Sequence, residues 1–171
     1  MPFPILGSNS AVAAGYEIDN SLRFNDDDSP RLTKTFSSSG NRRTVTFSAS
    51  QTLRLVTNAR LRDPSAWYHI VVAVDTTQGT ASNRLKLYIN GVQETSFSAT
   101  SNPNQNLETG FAENVQHAIG MRSANTDRHF DGYLAEVNFI DGQALAPTDF
   151  GETNDNGVWI PKAYEGTYGT N

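Results

Sequence analysis

The run AWYHIVVAVDTTQGTASNRLKLYINGVQ, residues 66–93, contains two segments in which large apolar residues recur at every second position. A period of two is typical of a β-strand, whose side chains point to alternate faces. In the first segment one face is predicted to carry Tyr68, Ile70, Val72 and Val74, and the other His69, Val71, Ala73 and Asp75. In the second segment Leu85, Leu87 and Ile89 alternate with Lys86, Tyr88 and Asn90. The run therefore predicts two strands, and the polar residues 76–83 between them predict a loop.

A tight turn is predicted directly after the second strand. Asn90-Gly91 follows the alternating run, and both central positions of a type I′ turn need positive φ, which Asn tolerates and Gly adopts freely. A return strand is expected through Val92, Thr95 and Phe97. The whole run is thus predicted to be the hairpin at the centre of a sheet.

Two motifs resemble a known superfamily. W-Y-H-I-V-V-A-V-D followed by L-K-L-Y-I-N-G resembles the central segment of concanavalin A-like lectin/glucanase sandwiches of the laminin G and pentraxin type. FDGYLAEVNFIDGQAL, residues 130–145, resembles the segment that closes such domains. The resemblance implies an all-β, antiparallel β-sandwich with jelly-roll topology. Within the second motif, residues 130–140 are predicted to form one strand that is apolar on both faces and lies between layers.

A narrower resemblance covers most of the chain. Residues 2–24, 62–70 and 132–169 resemble laminin G-like modules in structural proteins of marine tailed bacteriophages. It implies a non-enzymatic structural or adhesion component of the virion, in a capsid decoration, head-fibre or tail-associated role. The implied partners are other virion proteins, further copies of the chain and host surface polysaccharide. The alternative is a free-standing, calcium-assisted lectin that is not attached to a virion.

The chain departs from those modules between residues 47 and 53. Ser48–Gln51 joins two predicted strands directly, which is roughly 40 residues shorter than ordinary sandwiches of this kind. Either the domain is a minimal sandwich with fewer strands, or a neighbouring chain covers an exposed sheet edge.

Three parts of the chain are predicted to have different roles. Residues 1–15 form an arm, because Pro2 and Pro4 disfavour helices and sheet interiors; residues 16–153 form the sandwich, and residues 154–171 an extended aromatic tail. The arm and the tail either pack on their own domain or dock to a neighbour. The candidate assembly residues are Phe3, Ile5, Trp159, Tyr164 and Tyr168. Further strands are predicted at residues 21–24, 31–36, 42–48, 53–55 and 117–121, and a long loop at residues 98–110.

Composition narrows the classes of function. The chain has 171 residues, 37% of them hydrophobic, which suits one domain with a substantial core. Its net charge of −5, with no basic run, argues against nucleic acid as a partner. No apolar run approaches the length of about 20 residues that spans a bilayer. The absence of cysteine excludes disulfides and thiolate chemistry.

Catalysis is disfavoured by the acidic residues. Glucanases of the superfamily carry E-hydrophobic-D-x-x-E, which alternation places on one face of a strand as nucleophile and acid/base. Glu17-Ile18-Asp19 supplies the first half, but Asn20, Ser21 and Leu22 follow without a third carboxylate. His69, His117 and His129 are too widely spaced for a zinc pattern. We therefore predict a protein that is not an enzyme.

Two kinds of binding site remain candidates. Calcium is the one cofactor that the sequence suggests, and it would bind to oxygen ligands in acidic turns. The candidate ligands are Asp26, Asp28, Asp127 and Asp131. Asp-rich turns also occur without metal, because Asp caps turns well. A glycan would use amides and an aromatic face, and the candidates are Asn104, Asn106, Asn125, Arg128 and Tyr133. Here too the simpler account is that Asn favours turns and aromatics fill cores.

Overall fold

A computed structural model describes residues 21–24, 31–35, 44–46, 53–63, 65–120 and 129–169. The strands in this part of the chain are β1 Leu22–Phe24, β2 Leu32–Thr35, β3 Thr44–Thr46, β4 Arg54–Thr57, β5 Ile70–Asp75, β6 Leu85–Ile89, β7 Val92–Glu94, β8 Phe97–Ser101, β9 Gln116–Ile119, β10 Gly132–Leu134, β11 Ile140–Asp141, β12 Gly151–Thr153 and β13 Trp159–Pro161. Short 3₁₀ turns lie at Ala81–Asn83 and Pro147–Asp149. Every pairing between these strands is antiparallel, so the predicted all-β fold is confirmed. None of the helical turns in the described ranges is long or apolar enough to cross a membrane.

The central sheet has the strand order β11-β3-β5-β6-β7, so the two alternating segments form its middle. The predicted turn connects β6 to β7. The φ angles are 49° at Asn90 and 81° at Gly91, and Ile89 pairs with Val92 across the turn. Two positive φ angles are what a two-residue type I′ hairpin requires. The predicted hairpin is therefore confirmed.

One face of the central sheet packs against the β4–β8 pair. The buried cluster between the two layers contains Leu53, Val74, Leu85 and Phe111, with Leu55, Val72 and Phe139 packed against it. Val72 and Val74 lie on the β5 face that the alternation predicted to be apolar, and Val74 is fully buried. This cluster is the core of the sandwich.

The opposite face of the central sheet is also covered. Here the buried residues are Val71, Ile140 and Phe150, with Tyr88, Leu145 and Tyr164 packed against them. Val71 and Val72 therefore contribute to different clusters, as a period of two requires. Three of these six residues, Leu145, Phe150 and Tyr164, come from the last thirty of the chain, so β5 is buried from both sides.

The predicted return strand is shorter than expected. It ends at Glu94, whose carboxylate accepts hydrogen bonds from the backbone N–H groups of Thr95 and Ser96 at 3.1 and 2.9 Å. These bonds turn the chain out of the central sheet, and Phe97 begins β8, which pairs with β4. The prediction of one strand through Phe97 is wrong, as is the prediction that the following long loop begins at residue 98.

The predicted strand at residues 130–140 is divided. β10 pairs with β1 in a two-stranded sheet, whereas β11 pairs with β3 in the central sheet. Glu136 lies between them at φ 50°, in the left-handed region, and its carbonyl accepts a hydrogen bond from the Asn138 side chain at 3.1 Å. A residue other than glycine with that φ cannot continue an extended strand. The prediction of one continuous strand over residues 130–140 is therefore wrong.

The shorter strands lie close to their predicted positions, with one error of burial. Leu22 and Phe24 were both expected in the core. Phe24 is 3% exposed and meets Phe130 edge-to-face at 6.0 Å, whereas Leu22 is 50% exposed. Only the Phe24 end of β1 is covered.

Several predictions fall outside the described residues. These include the arm at residues 1–15 and the junction Ser48–Gln51. The division of the chain into arm, sandwich and tail, and the two explanations for the short sandwich, therefore stay predictions.

Candidate functional site

A pocket of about 200 Å³ lies on the face of the central sheet that the C-terminal region covers. We call it the Lys86 pocket. Its polar lining comes from Asp75, Gln78, Asn83, Lys86 and Tyr88, and its apolar lining from Leu145 and three alanines. The volume is below the range typical of sites for drug-sized ligands, so the pocket suits one small ring or the end of a chain.

The pocket forms because of two neighbouring cross-strand pairs. Ala73 of β5 pairs with Lys86 of β6, and Val71 pairs with Tyr88 one row along the same face. Directly opposed residues on two strands share a face, so the small Ala73 leaves a depression beside the larger Tyr88. Leu145 packs on the same cluster as Tyr88 and forms the facing wall.

The acidic wall of the pocket is fixed by its own loop. The Asp75 carboxylate accepts bonds from the Thr77 N–H at 3.0 Å, the Thr77 hydroxyl at 2.6 Å and the Gln78 side-chain amide at 2.6 Å. Burial acts to raise the pKa of Asp75, but these hydrogen bonds outweigh it and hold the pKa below its usual value. Asp75 is therefore an anion whose hydrogen-bonding capacity is largely used.

A second set of bonds anchors the same loop. The Arg84 guanidinium donates to the carbonyl oxygens of Gln78 at 2.7 Å, Gly79 at 2.8 Å and Pro103 at 3.0 Å. One cation thus ties residues 78–79 to the segment that begins at Asn102. The rim of the pocket is consequently preorganised.

Three polar groups in the pocket remain available. The Lys86 ammonium, the Tyr88 hydroxyl and the Asn83 side-chain amide have no partner within the described ranges. Burial raises the pKa of the Tyr88 hydroxyl, so at neutral pH it is a neutral group that can both donate and accept. Convergent, unused polar groups beside an aromatic ring are typical of small-ligand sites.

Two of the predicted glycan-binding residues, Asn104 and Asn106, lie on a loop next to the one that borders the Lys86 pocket, but they do not line the pocket. Asn106 donates its backbone N–H to the Thr76 carbonyl at 2.8 Å, so the loop with Asn104 and Asn106 packs on the loop that contains Gln78. Tyr133 lies elsewhere, on β10 beside β1, and is 57% exposed. Asn125 and Arg128 are outside the described residues. The glycan assignment of these five residues stays a prediction.

Sequence reasoning missed Lys86, Tyr88 and Asn83 as site residues. Lys86 and Tyr88 were visible as the second face of the β6 alternation, opposite Leu85, Leu87 and Ile89. The alternation marks that face as the more polar one, and in the structure residues 144–146 partly cover it. The covering residues lie about sixty positions further along the chain than Lys86 and Tyr88, and local sequence patterns do not reveal such a long-range contact.

The predicted calcium ligands are largely outside the described residues. Asp26, Asp28 and Asp127 fall in undescribed ranges, and Asp131 is exposed. No group of three or more metal-binding side chains occurs in the ranges that the structure covers. Calcium binding therefore stays a prediction.

The candidate assembly residues of the tail contact the chain's own domain. The Trp159 indole N–H donates to Nδ1 of His69 at 3.0 Å, and Tyr164 packs between Phe150 and Tyr168, with ring centroids 5.0 and 5.1 Å away. Phe3 and Ile5 are outside the described residues. Of the two alternatives for the tail, packing on its own domain is what these contacts show, and a contact with a neighbour stays a prediction.

The His69–Trp159 bond makes stability depend on pH. An indole N–H can only donate, so Nδ1 of His69 must be unprotonated, and burial lowers the pKa of His69. Because the pKa is lower in the folded state, this contribution is fully present above pH about 6.5 and is lost as the pH falls through the folded-state value. We expect the thermal unfolding midpoint to decrease when the pH is lowered from 7.5 to 5.5. The decrease should be smaller in His69→Gln. Equal slopes in the two proteins would contradict the assignment.

The described lining of the pocket contains no pair of carboxylates such as a glycoside hydrolase uses. Retaining enzymes need two about 5.5 Å apart and inverting enzymes two about 6.5–9.5 Å apart. Asp75 is the sole acidic side chain among the described residues that line the pocket. The incomplete motif Glu17–Asp19 is outside the described residues.

Comparison with known families places most of the chain in a family. A laminin G-like family model, described as the concanavalin A-like lectin/glucanases superfamily, matches residues 8–149. The strands that build the Lys86 pocket, and Leu145, lie within the matched range, whereas Trp159 and Tyr164 lie beyond it. No curated protein and no solved structure matches the chain.

Proposed function

The chain belongs to the concanavalin A-like lectin/glucanases superfamily, and from that premise we propose that it is a non-enzymatic carbohydrate-binding domain whose ligand occupies the Lys86 pocket. The membership confirms the resemblance carried by the central motifs, and it fits a carbohydrate-binding or adhesion role. Members of one fold perform unrelated tasks, so the proposal depends on the site.

The observation that carries the proposal is the set of unused polar groups around Tyr88. A sugar ring presents hydroxyl groups at its rim and C–H groups on its faces. The Tyr88 ring offers an apolar face, while the Tyr88 hydroxyl and the Asn83 amide offer a donor and an acceptor each. Asp75, the one acidic side chain among the described lining residues, is bonded to its own loop, which supports binding of a sugar without cleavage.

Blocking the mouth of the pocket is the direct test. Ala144 lines the pocket and is exposed, so Ala144→Trp is expected to reduce affinity for any glycan that the intact protein binds at least tenfold. The core is untouched, and the unfolding midpoint should change little. Glycan-array screening followed by calorimetric titration measures the effect.

The matched control adds the same side chain elsewhere. Ala59 is exposed and follows β4, and Ala59→Trp should bind like the wild type. The proposal fails if the intact protein binds no glycan, or if Ala144→Trp binds as tightly as Ala59→Trp.

We further propose that the domain is a structural and adhesion component of a tailed-phage virion, in a capsid decoration, head-fibre or tail-associated role. The support is the resemblance of residues 2–24, 62–70 and 132–169 to such modules. Several exposed apolar side chains are available for contacts with other virion proteins or further copies, among them Val92 at 72% and Trp67 at 60% exposure. The ligand would then be a host surface polysaccharide.

The alternative is a free-standing lectin, and solution mass separates the two. Light scattering on the intact chain should give a discrete oligomer for the virion component. A monomer that binds glycans would support the lectin instead. Loss of binding in the presence of EDTA, restored by calcium, would identify the calcium-assisted form.

A further inference from the structure

The unused cation in the pocket specifies the ligand more closely than the fold does. Lys86 is half-buried and is the one cationic side chain among the described lining residues. It forms no ion pair or side-chain hydrogen bond with any residue that the structure describes. Asp75 lines the same pocket but bonds to Thr77 and Gln78.

Other cationic side chains near the C-terminal face are used differently. The Arg84 guanidinium donates hydrogen bonds to three carbonyl oxygens, and the Lys162 ammonium donates to the Thr148 carbonyl at 2.7 Å. These side chains hold loops. Lys86, by contrast, has a small alanine opposite it and open volume in front of it.

A neutral sugar in the pocket would displace water from this ammonium and return only neutral acceptors. The Asp75 carboxylate in the same pocket is already bonded to Thr77 and Gln78, so an anionic group on the ligand would be the partner that compensates the Lys86 ammonium for the lost water. We propose that the Lys86 pocket selects carbohydrates that carry an anionic group, a carboxylate or a sulfate, and that Lys86 binds that group while Tyr88 contacts the ring. This inference rests on the proposed function and narrows its ligand class.

The net charge of −5 does not oppose this selection strongly. Charges more than about 10 Å apart are largely screened at 0.1 M salt, whereas a partly buried pair at contact distance is screened much less. The two charges inside the pocket, the free ammonium of Lys86 and the loop-bonded carboxylate of Asp75, therefore govern selectivity, and the distant acidic residues affect mainly the rate of encounter.

The test compares charged glycans with neutral forms of the same rings. The intact protein is titrated with oligogalacturonide and its methyl ester, with alginate-type uronate oligosaccharides and their carboxyl-reduced forms, and with sulfated galactan oligosaccharides and their desulfated forms. We expect at least tenfold tighter binding of the charged member of one pair. A preference confined to the uronates identifies a carboxylate as the recognised group, and one confined to the galactans identifies a sulfate.

Lys86→Gln removes the charge and keeps the length of the side chain. It should abolish the preference, so that the charged glycan and its neutral counterpart bind with equal affinity. The matched control is Arg60→Gln, which removes an exposed cation from the segment after β4 and should retain the preference.

The outcomes separate the two proposals. If neutral glycans bind as tightly as charged ones, or if Lys86→Gln keeps the preference, the selection by charge is wrong while carbohydrate binding stands. If no glycan binds at all, the proposed function fails and this inference fails with it.

Discussion

Replacing Trp159 with alanine is expected to lower the free energy of unfolding by about 3 kcal/mol. The indole is half-buried and lies so close to Gly91 that a Cβ on that residue would clash with the ring. Its N–H also donates to Nδ1 of His69. Truncation removes the packing and leaves a half-buried acceptor without its donor. For a domain of this size the thermal midpoint should fall by roughly 6–12 °C, which circular dichroism measures.

Two further variants divide this loss into its parts. Trp159→Phe keeps a ring over Gly91 but has no N–H, so it should cost about 1 kcal/mol. Val158→Ala changes a neighbouring side chain that is 48% exposed, and should change stability by less than about 0.5 kcal/mol. A wild-type midpoint for Trp159→Ala would mean that the tail does not pack on the hairpin.

The contacts of Trp159 and Tyr164 also limit how assembly can be tested by truncation. Deleting residues 154–171 would remove β13 and Tyr164 together with Trp159, and with them part of the layer over β5. Such a truncation would lose stability whether or not the protein assembles, so it cannot distinguish a virion component from a lectin. Substitution of exposed residues such as Val92, combined with mass measurement, avoids this ambiguity.

The central hairpin was predictable because its signals are local. Alternation over 70–74 and 85–89 and the Asn90-Gly91 pair each specify backbone geometry within a few residues, and all three agree. The second layer was not predictable in the same way. Its members Val71, Ile140 and Phe150 are separated by up to eighty residues, and no periodicity links them.

The alternating pattern did not predict the division of residues 130–140, because one backbone angle interrupts the strand. Glu136 lies at φ 50°, a conformation that propensity and pattern do not reveal in an acidic residue. For the site, Lys86 and Tyr88 could be placed on one face from sequence, but whether that face met solvent or a cover depended on Leu145. The chemistry of the pocket thus follows from a long-range contact.

The largest loss of stability from a single side chain is expected at Ile140. It is fully buried between Val71 and Phe150, and Ile140→Ala should cost about 3–4 kcal/mol through lost burial and the cavity left behind. Ile140→Val, which removes one methylene group, should cost about 1 kcal/mol. Natural domains of this kind are stable by only about 5–15 kcal/mol, so the alanine variant loses a large fraction of the total.

Val137 provides the comparison that separates the structure from the sequence pattern. A continuous strand over residues 130–140 between two layers would bury Val137 as well as Ile140, and both alanine variants would then be severely destabilised. In the structure Val137 is 40% exposed in the irregular segment beside Glu136, so Val137→Ala should cost less than about 1 kcal/mol. Urea unfolding measures both differences, and they are comparable provided that the m values agree. Equal losses at the two positions would restore the continuous strand and refute the division into β10 and β11.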